Sequence, residues 1–254
     1  MGRLTFLGTG TSSGVPMLGC DCETCTSTNV HDHRLRTSAL LETNDGVRVL
    51  FDCGPDFRQQ MLQVGFKPFD AIVITHDHYD HIGGLDDLRP SRLFEACAIY
   101  AEPSCVESLR QRLPYCFAEK KYPGVPRLDL RTLEVHRPVE IGAVSIVPFR
   151  ILHGNLPIVG FRYGDFAYIT DMKTIPEEEM TYLKDVRTLV VNALRIEAHH
   201  SHLSLQEALG FAQKVGAEAT YFTHIAHSLG PHDAVSKQLP ANVFLAYDGL
   251  QIEI

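Results

Sequence analysis

The segment Thr75-His76-Asp77-His78-Tyr79-Asp80-His81 constrains this chain more than any other feature. It crowds His76, His78, Asp80 and His81 into a few residues directly after Asp70-Ala-Ile-Val-Ile-Thr75, a short apolar run with β-branched residues that reads as a buried strand. Titratable groups packed this densely at a strand end are costly to bury unless a metal organises them. In an H-x-H-x-D-H array the first two histidines can share one ion. The aspartate and last histidine sit one step further round the turn and can reach a second. Imidazole suits zinc, and the carboxylate widens the choice to manganese or iron. A chain that carries such an array must present strand ends in a common pocket, which is the habit of layered α/β proteins.

The rest of the pattern agrees with a mixed α/β fold. Strands are expected at Leu4–Gly8, Ser38–Thr43, Val47–Asp52, Ala71–Thr75, Val144–Phe149, Gly160–Tyr163, Phe166–Thr170, Thr188–Asn192, Ala217–Thr223, Val243–Ala246 and Leu250–Ile254. Asn44-Asp45-Gly46 joins two of them as a hairpin. Helices are expected from Pro55 to Gly65, from a start at Gly83-Gly84 and Leu85–Leu88 onward, from Pro103 to about Leu113, and from Ser204 to about Val215, the last opened by the capping box Ser204-Leu-Gln-Glu207. Residues 9–36 form a long irregular segment. With 254 residues and no linker or repeat, residues 1–254 are read as one domain.

Composition removes several functions. A net charge of −8 argues against a general nucleic-acid binder, which needs a basic face. It leaves a small anionic substrate open, because bound cations invert the local field. No apolar run reaches the ~20 residues of a membrane helix, and the opening Met1-Gly2-Arg3-Leu4-Thr5-Phe6 has no leader-like apolar core, so a cytoplasmic location is expected. The seven cysteines are an odd count; in a reducing compartment they are thiols or metal-bound thiolates.

Further ligands are wanted to complete a two-metal site. His153 follows the strand Val144–Phe149, Asp171 follows Phe166–Thr170, and His224 follows the late strand in Thr220-Tyr-Phe-Thr-His224. Each alone reads more simply as a surface, core or turn residue; their joint placement after successive strands is what singles them out. Cys20, Cys22 and Cys25 form C-x-C-x-x-C in the irregular segment, and three thiolates need a fourth ligand to close a tetrahedral zinc site, for which His227 is a candidate. The alternatives are free thiols or a Cys22/Cys25 redox pair. Cys53, Cys97, Cys105 and Cys116 have no ligand spacing and read as buried small apolar residues.

H-x-H-x-D-H followed by Gly83-Gly84-Leu85, a separate His153, Thr170-Asp171 and a late Thr223-His224 resembles the metallo-β-lactamase superfamily. Gly8-Thr-Gly-Thr-Ser-Ser-Gly-Val-Pro16 and the cysteine loop narrow the resemblance to the phosphodiesterase branch typified by the accessory enzyme of carbon–phosphorus lyase, which opens a cyclic ribosyl phosphate. The resemblance spans essentially the whole chain. It implies a four-layer αββα sandwich. His76, His78 and His153 would bind one ion; Asp80, His81 and His224 the other; Asp171 would bridge. It implies a zinc held by Cys20, Cys22, Cys25 and His227 that pins the segment at about 9–36, a bracing role for Asp52, and a homodimer. His202, in His199-His200-Ser201-His202, resembles the proposed general acid of that branch, and Asp80 could share in proton transfer. His199 and His200 read as exposed loop residues, and Arg34 and Arg36 as solvated cations rather than phosphate contacts.

The function so implied is hydrolysis of a small phosphodiester by hydroxide activated between two divalent ions, zinc or manganese, with a cyclic sugar phosphate as the model substrate. The competing functions are a transfer-RNA 3′ processing endonuclease, which shares the ligand set, and a non-catalytic cofactor-biosynthesis module. The first is disfavoured by the absence of a basic or Gly/Pro-rich arm, the second by the completeness of the ligands. β-Lactam hydrolysis and thioester hydrolysis with a C-terminal helical domain fit less well.

Overall fold

The computed structural model describes residues 2–65, 67–89 and 97–254. Two seven-stranded sheets form its middle. The first half of the chain supplies β1 (Gly2–Gly8), β2 (Ser38–Thr43), β3 (Arg48–Phe51), β4 (Ala71–Val73), β5 (Ala98–Ala101) and β6 (Asp129–Thr132) to one sheet. The second half supplies β7 (Val139–Ile141), β8 (Val144–His153), β9 (Leu156–Tyr163), β10 (Phe166–Tyr168), β11 (Thr188–Asn192), β12 (Ala219–Thr223) and β13 (Val243–Leu245) to the other, and β14 (Gln251–Glu253) returns to pair with β1.

Each sheet is antiparallel in one part and parallel in the other. β3 to β6 run parallel, as do β10 to β13. Parallel strands are buried on both faces, which explains why β4 and β11 read as near-continuous apolar runs.

Three separate apolar clusters fill the three spaces of a four-layer stack. Between the sheets, Phe51 stacks on Tyr168 with ring centroids 4.8 Å apart, beside Phe161 and Phe166. Outside the first sheet, Leu50, Ile72 and Ile99 meet Phe57 and Met61 of α1 (Phe57–Val64) and Cys105 and Leu109 of α2 (Pro103–Arg112). Outside the second, Leu189, Val191 and Phe222 meet Ala208 and Ala212 of α3 (Leu205–Val215) and Val235 of α4 (His232–Ser236). The architecture is the αββα sandwich anticipated from the sequence. Burying one such aromatic is worth roughly 1.5–3 kcal/mol, so the inter-sheet layer is a major source of stability.

Local chemistry sets the element ends. Ser204 Oγ accepts from Glu207 N–H and Glu207 Oε2 accepts from Ser204 N–H at 2.8 Å, the capping box expected, while Gly216 closes α3 in the left-handed conformation at φ 72°. Two differences from expectation matter for the site. β8 runs through His153 rather than ending at Phe149, because its residues from Val147 to His153 pair with β9, which begins at Leu156 rather than Gly160. β3 stops at Phe51, because Asp52 turns out of the sheet at φ 59°. Leu85–Leu88 is a 3-10 turn; the expected continuation of a helix past it falls outside the described residues. Among the described residues no helix is long and apolar enough to cross a membrane.

Candidate metal centre

Chain ends of parallel strands from both sheets converge on one pocket, the usual ligand position in such sheets. β3 delivers Asp52, β4 delivers His76 through a short turn, β10 delivers Asp171, and β12 delivers His224. The antiparallel β8 adds His153 at its last residue. The sheets are tied together here by the Val159 N–H, which donates to the Thr75 carbonyl. Asp52, Asp171 and His224 all adopt left-handed backbone, at φ 59°, 57° and 53°. That conformation is disfavoured for side chains larger than glycine and clusters at functional sites.

The side chains form two adjoining groups. In one, ligand atoms of His76, His78 and His153 lie within 4.8 Å of one another; in the other, those of Asp80, His81, Asp171 and His224 do. Asp171 joins them: its carboxylate and the His153 ring offer ligand atoms within 4.8 Å of each other, while its Oδ2 is 3.2 Å from His81 Nε2 and its Oδ1 3.2 Å from His224 Nε2. His81, Asp171 and His224 are buried; His78 is the solvent-facing member. The seven residues singled out from the sequence for this centre are thus brought together.

The donor set fits a pair of cations. His76 Nε2 and His81 Nε2 are buried yet have no hydrogen bond. Buried polar nitrogens left unpaired cost about 1–3 kcal/mol each, so this cluster is expensive without an ion. Burial pushes the His76 imidazole well below its ordinary range, keeping its lone pair free. For His81, burial is outweighed by Asp171, Asp52 and Asp80, which hold its pKa well above the ordinary value. Asp171 is held well below the carboxylate range: burial opposes ionisation, but His224 and His81 overcome it. The three carboxylates around His81 thus favour positive charge in this pocket, carried by a proton on the ring or by a bound cation.

The imidazoles are oriented from behind. Asp52 Oδ2 accepts His81 Nδ1–H at 2.7 Å, and its carboxylate also accepts from the Thr75 N–H and hydroxyl. Burial raises the Asp52 pKa, opposed by His81. The Ser201 carbonyl accepts from His153 Nδ1 at 2.8 Å. Such partners fix the ring and its tautomer. Asn192 clamps the turn after Asp171 by bonding both the N–H and the carbonyl of Met172. The bracing position of Asp52 was expected; Ser201 and Asn192 were not, and no local pattern marks them.

His202 stands against the same pocket, with Nε2 2.9 Å from Asp171 Oδ1 and its ring centroid 4.5 Å from that of His153. Burial lowers its pKa to about 4, against the raising effect of Asp171. His200 is exposed as expected. His199 is not a free loop residue: its Nδ1 contacts His202 Nδ1 at 3.1 Å. The solvated reading is corrected for Arg34, whereas Arg36 is partly exposed. Arg34 is buried, donating to Thr9 Oγ1, the Ala246 carbonyl and His232 Nδ1; Arg36 pairs with Asp56 at 2.8 Å. Both are held because residues 9–36 are laid over the end of β12, where the Thr11 N–H donates to the Ile225 carbonyl and the Ile225 N–H donates to the Thr9 carbonyl.

That segment carries the second cluster. Ligand atoms of Cys20, Cys22, Cys25 and His227 lie within 4.8 Å of one another. His227 Nδ1 is 3.2 Å from Cys22 Sγ and 3.5 Å from Cys20 Sγ. The bond to His227 lowers the Cys22 thiol to about 6, whereas burial raises Cys25 to about 11. Three sulfurs and an imidazole with one activated thiol fit tetrahedral zinc. A third grouping, His31, His232 and Asp233, fits an ion poorly. Arg34 donates to His232 Nδ1, which leaves the neutral ring's hydrogen on Nε2 and no lone pair for a metal. Cys53, Cys97, Cys105 and Cys116 are buried free thiols, as expected.

Residues 47–225 match the family model of a β-lactamase superfamily domain. The chain belongs to the metallo-β-lactamase superfamily. Within that superfamily it closely resembles the solved structure of a new diphosphatase from the PhnP family, at 39% identity and a TM-score of 0.92, covering 100% of this chain and 98% of that one. It is also 42% identical, over 98% of its length, to a protein of Porphyromonas gingivalis (strain ATCC BAA-308 / W83) named octanoyltransferase, 51% of which is covered. Zinc-bound PqqB from Methylobacterium extorquens shares the fold at a TM-score of 0.82 and 18% identity, covering 99% of this chain and 100% of that one. The chain spans about half the length of the curated relatives it matches. The superfamily's hydrolase chemistry and the observed His/Asp cluster are mutually consistent.

Proposed function

We propose that this chain is a dinuclear metal-dependent phosphodiesterase acting on a small substrate, with a cyclic sugar phosphate as the model. The observation that carries the proposal is the meeting of two ligand groups at Asp171, with buried imidazole nitrogens left unpaired. His76, His78 and His153 would hold one ion, Asp80, His81 and His224 the other, and Asp171 both; zinc or manganese suits these donors. Such a pair polarises a phosphoryl oxygen and acidifies a water. The chain's own contribution is positioning. Asp52 and Thr75 fix the His81 side, the Ser201 carbonyl fixes His153, and the low exposure of Asp80 and Asp171 limits competing water. His202 Nε2, at the pocket edge, would pass its proton to the leaving oxygen as the P–O bond breaks and regain one from solvent. Asp80 would assist that transfer only in addition to its ligand role. Cys20, Cys22, Cys25 and His227 would hold a structural zinc that pins residues 9–36.

The likeness to a diphosphatase supports a second reading, in which the bond cleaved is a phosphoanhydride. The same ligands serve both, because either reaction is in-line attack of water on phosphorus. The octanoyltransferase name belongs to a protein about twice as long, and acyl transfer finds no support in this pocket, whose groups are metal donors rather than an activated thiol or amine. Metal-stripped protein reloaded with zinc or manganese should turn over bis(p-nitrophenyl) phosphate. Turnover of a nucleoside diphosphate ester in preference to any diester would select the second reading. Inactivity with every divalent ion would favour a binding module, and tight transfer-RNA binding at moderate salt would favour the endonuclease.

A further inference from the structure

The cysteine cluster has the geometry for a second chemistry. The Sγ atoms of Cys20, Cys22 and Cys25 all lie within 4.8 Å of one another. The Thr26 N–H donates to the Cys22 carbonyl at 3.0 Å, which closes one helical turn over residues 22–26. Side chains three residues apart on such a turn are neighbours. Cys22 and Cys25 therefore meet the condition for a bridge, that the two backbones approach as well as the sulfurs. Cys22 is part-exposed between the exposed Asp21 and Glu23, so a small oxidant can reach it, whereas Cys53, Cys97, Cys105 and Cys116 are buried. Zinc site and redox pair are thus compatible readings of one loop.

The cluster is joined to the catalytic pocket by backbone. His227, beside Cys22 and Cys20, follows His224 by one turn of chain. The Ile225 N–H donates to the Thr9 carbonyl at 2.8 Å and the Thr11 N–H to the Ile225 carbonyl at 3.0 Å, so the cysteine segment grips the residue directly after His224. The Ala226 N–H donates to the Leu194 carbonyl at 2.9 Å, and the Leu194 N–H to the Leu203 carbonyl at 2.9 Å, which closes the loop that carries His202. His224 itself sits in left-handed backbone at φ 53°, a conformation kept only while its surroundings enforce it.

We propose that Cys22 and Cys25 form a redox switch: a peroxide joins them in a disulfide, the zinc leaves, and the His224 and His202 side of the pocket slackens. The Cys22 thiolate attacks one peroxide oxygen, the O–O bond breaks and hydroxide departs, leaving a sulfenic acid. The Cys25 thiolate then attacks that sulfur, forms the S–S bond and displaces a second hydroxide. The sulfurs together lose the two electrons that the peroxide gains, and both hydroxides take up protons as water. Cys20 and His227 remain, two donors where a closed zinc site needs four. Bridge and zinc compete for the same sulfurs, so added zinc slows the reaction and a thiol reductant with zinc reverses it. The inference rests on the zinc reading of this loop, and on the hydrolase reading only for its effect on turnover.

The test treats zinc-loaded protein with hydrogen peroxide. Zinc set free is followed with a chromogenic chelator, and peptide mass spectrometry maps the oxidised cysteines. About one zinc per chain should appear in step with a Cys22–Cys25 cross-link, and free zinc added beforehand should slow both. Hydrogen exchange should quicken at the Thr11, Ile225 and Ala226 amides. Turnover of bis(p-nitrophenyl) phosphate should fall about fivefold, as loss of a coupled element does, and dithiothreitol with zinc should restore zinc content, exchange and turnover together. Zinc retained, a cross-link through Cys20, or sulfinic acid without a cross-link overturns the inference. A complete Cys22–Cys25 cross-link that alters neither exchange nor turnover also overturns it. Protein that turns over no diester before oxidation refutes the hydrolase reading instead, and exchange at the three amides then decides the switch.

Discussion

Asp52 and His81 are joined by a 2.7 Å bond between two fully buried side chains, and Asp52 holds Thr75 with the same carboxylate. One acid therefore anchors both ends of the Thr75–His81 array. Replacing it should loosen the ring without removing a metal donor. Asp52→Asn keeps the volume but loses the charge that favours the His81 Nδ1–H. Loss of such a supporting partner typically weakens metal affinity by about 10–100-fold. Titrating the loaded protein with a chelator of known affinity should show that loss, with turnover falling in step. Unchanged affinity would separate Asp52 from the metal centre.

Gly54 makes a sharper demand on backbone. A Cβ there would run into the Asp80 carbonyl, and one on Gly84 would run into the Gly54 carbonyl. Neither obstacle is a flexible side-chain tip, so the strand-end turns must separate. Gly54→Ala should cost about 1–3 kcal/mol of stability, as overpacking does. It should also depress activity by more than the thermal shift explains, because Asp80 moves with its carbonyl. A variant with full turnover and an unchanged melting temperature would refute the close approach.

The cysteine loop can be read chemically. In metal-free protein, Cys22 has its thiol lowered to about 6 chiefly by His227, and Cys25 has its raised to about 11 chiefly by burial. The thiolate is the reactive form. Alkylation with iodoacetamide at pH 7 should therefore modify Cys22 well before Cys25, and its rate should rise through about pH 6 and then level. His227→Ala should move that midpoint upward, since the largest lowering influence is gone. Zinc should protect all three thiols, and a single zinc per chain should be lost in Cys22→Ser. Equal reactivity of Cys22 and Cys25 would contradict the assignment.

Asp248 gives a pH dependence of opposite sense to an ordinary ion-paired acid. Burial raises it to about 6, although the Leu35 N–H, the Thr9 hydroxyl and Arg34 all oppose the shift. The folded protein thus holds this proton more tightly than the unfolded chain, whose value is near 3.8. The contribution to stability is complete below about 3.8 and is lost as pH rises through about 6. At about 1.4 kcal/mol per pH unit the effect is bounded near 3 kcal/mol. Asp248→Asn does not titrate, so relative to the wild type it should gain stability as pH goes from 4 to 7. Urea denaturation across that range, in chelator, measures the difference. A gap between the two proteins that does not vary with pH would exclude a raised Asp248.

Parts of this architecture were legible because contiguous chemistry announces itself. His76 to His81 follow one strand, and His153, Asp171 and His224 each end or follow another, so short apolar runs pointed to them. The supporting groups were not legible. Ser201 acts through its carbonyl, which any residue has, and Asn192 reaches the Asp171 turn only because β10 and β11 are neighbours. β6 reads Asp-Leu-Arg-Thr, largely exposed at a sheet edge, with no apolar alternation to detect. Pro157 hid the start of β9, since proline ordinarily marks a strand boundary. Arg34 read as solvated because a charged side chain in an irregular segment usually is; it is buried because that segment lies under the chain's last turns.

The loop from 195 to 203 shows how stability and activity can part company here. Arg195 is partly exposed and bonds only carbonyls of its own loop, Glu197 at 3.3 Å and Ala198 at 3.0 Å. Removing such contacts at the surface usually changes global stability by no more than about 0.5 kcal/mol. The loop, however, positions His199 and His202, and a small displacement there moves Nε2 relative to Asp171. Arg195→Ala should therefore melt within a degree or two of the wild type while kcat on a poor leaving group falls several-fold and KM changes little. Hydrogen exchange should localise the loosening to this loop, leaving β12 protected. If exchange and kcat are both unaltered, the arginine is incidental and the loop owes its shape to the Leu194–Leu203 and Leu205–Arg195 backbone bonds alone.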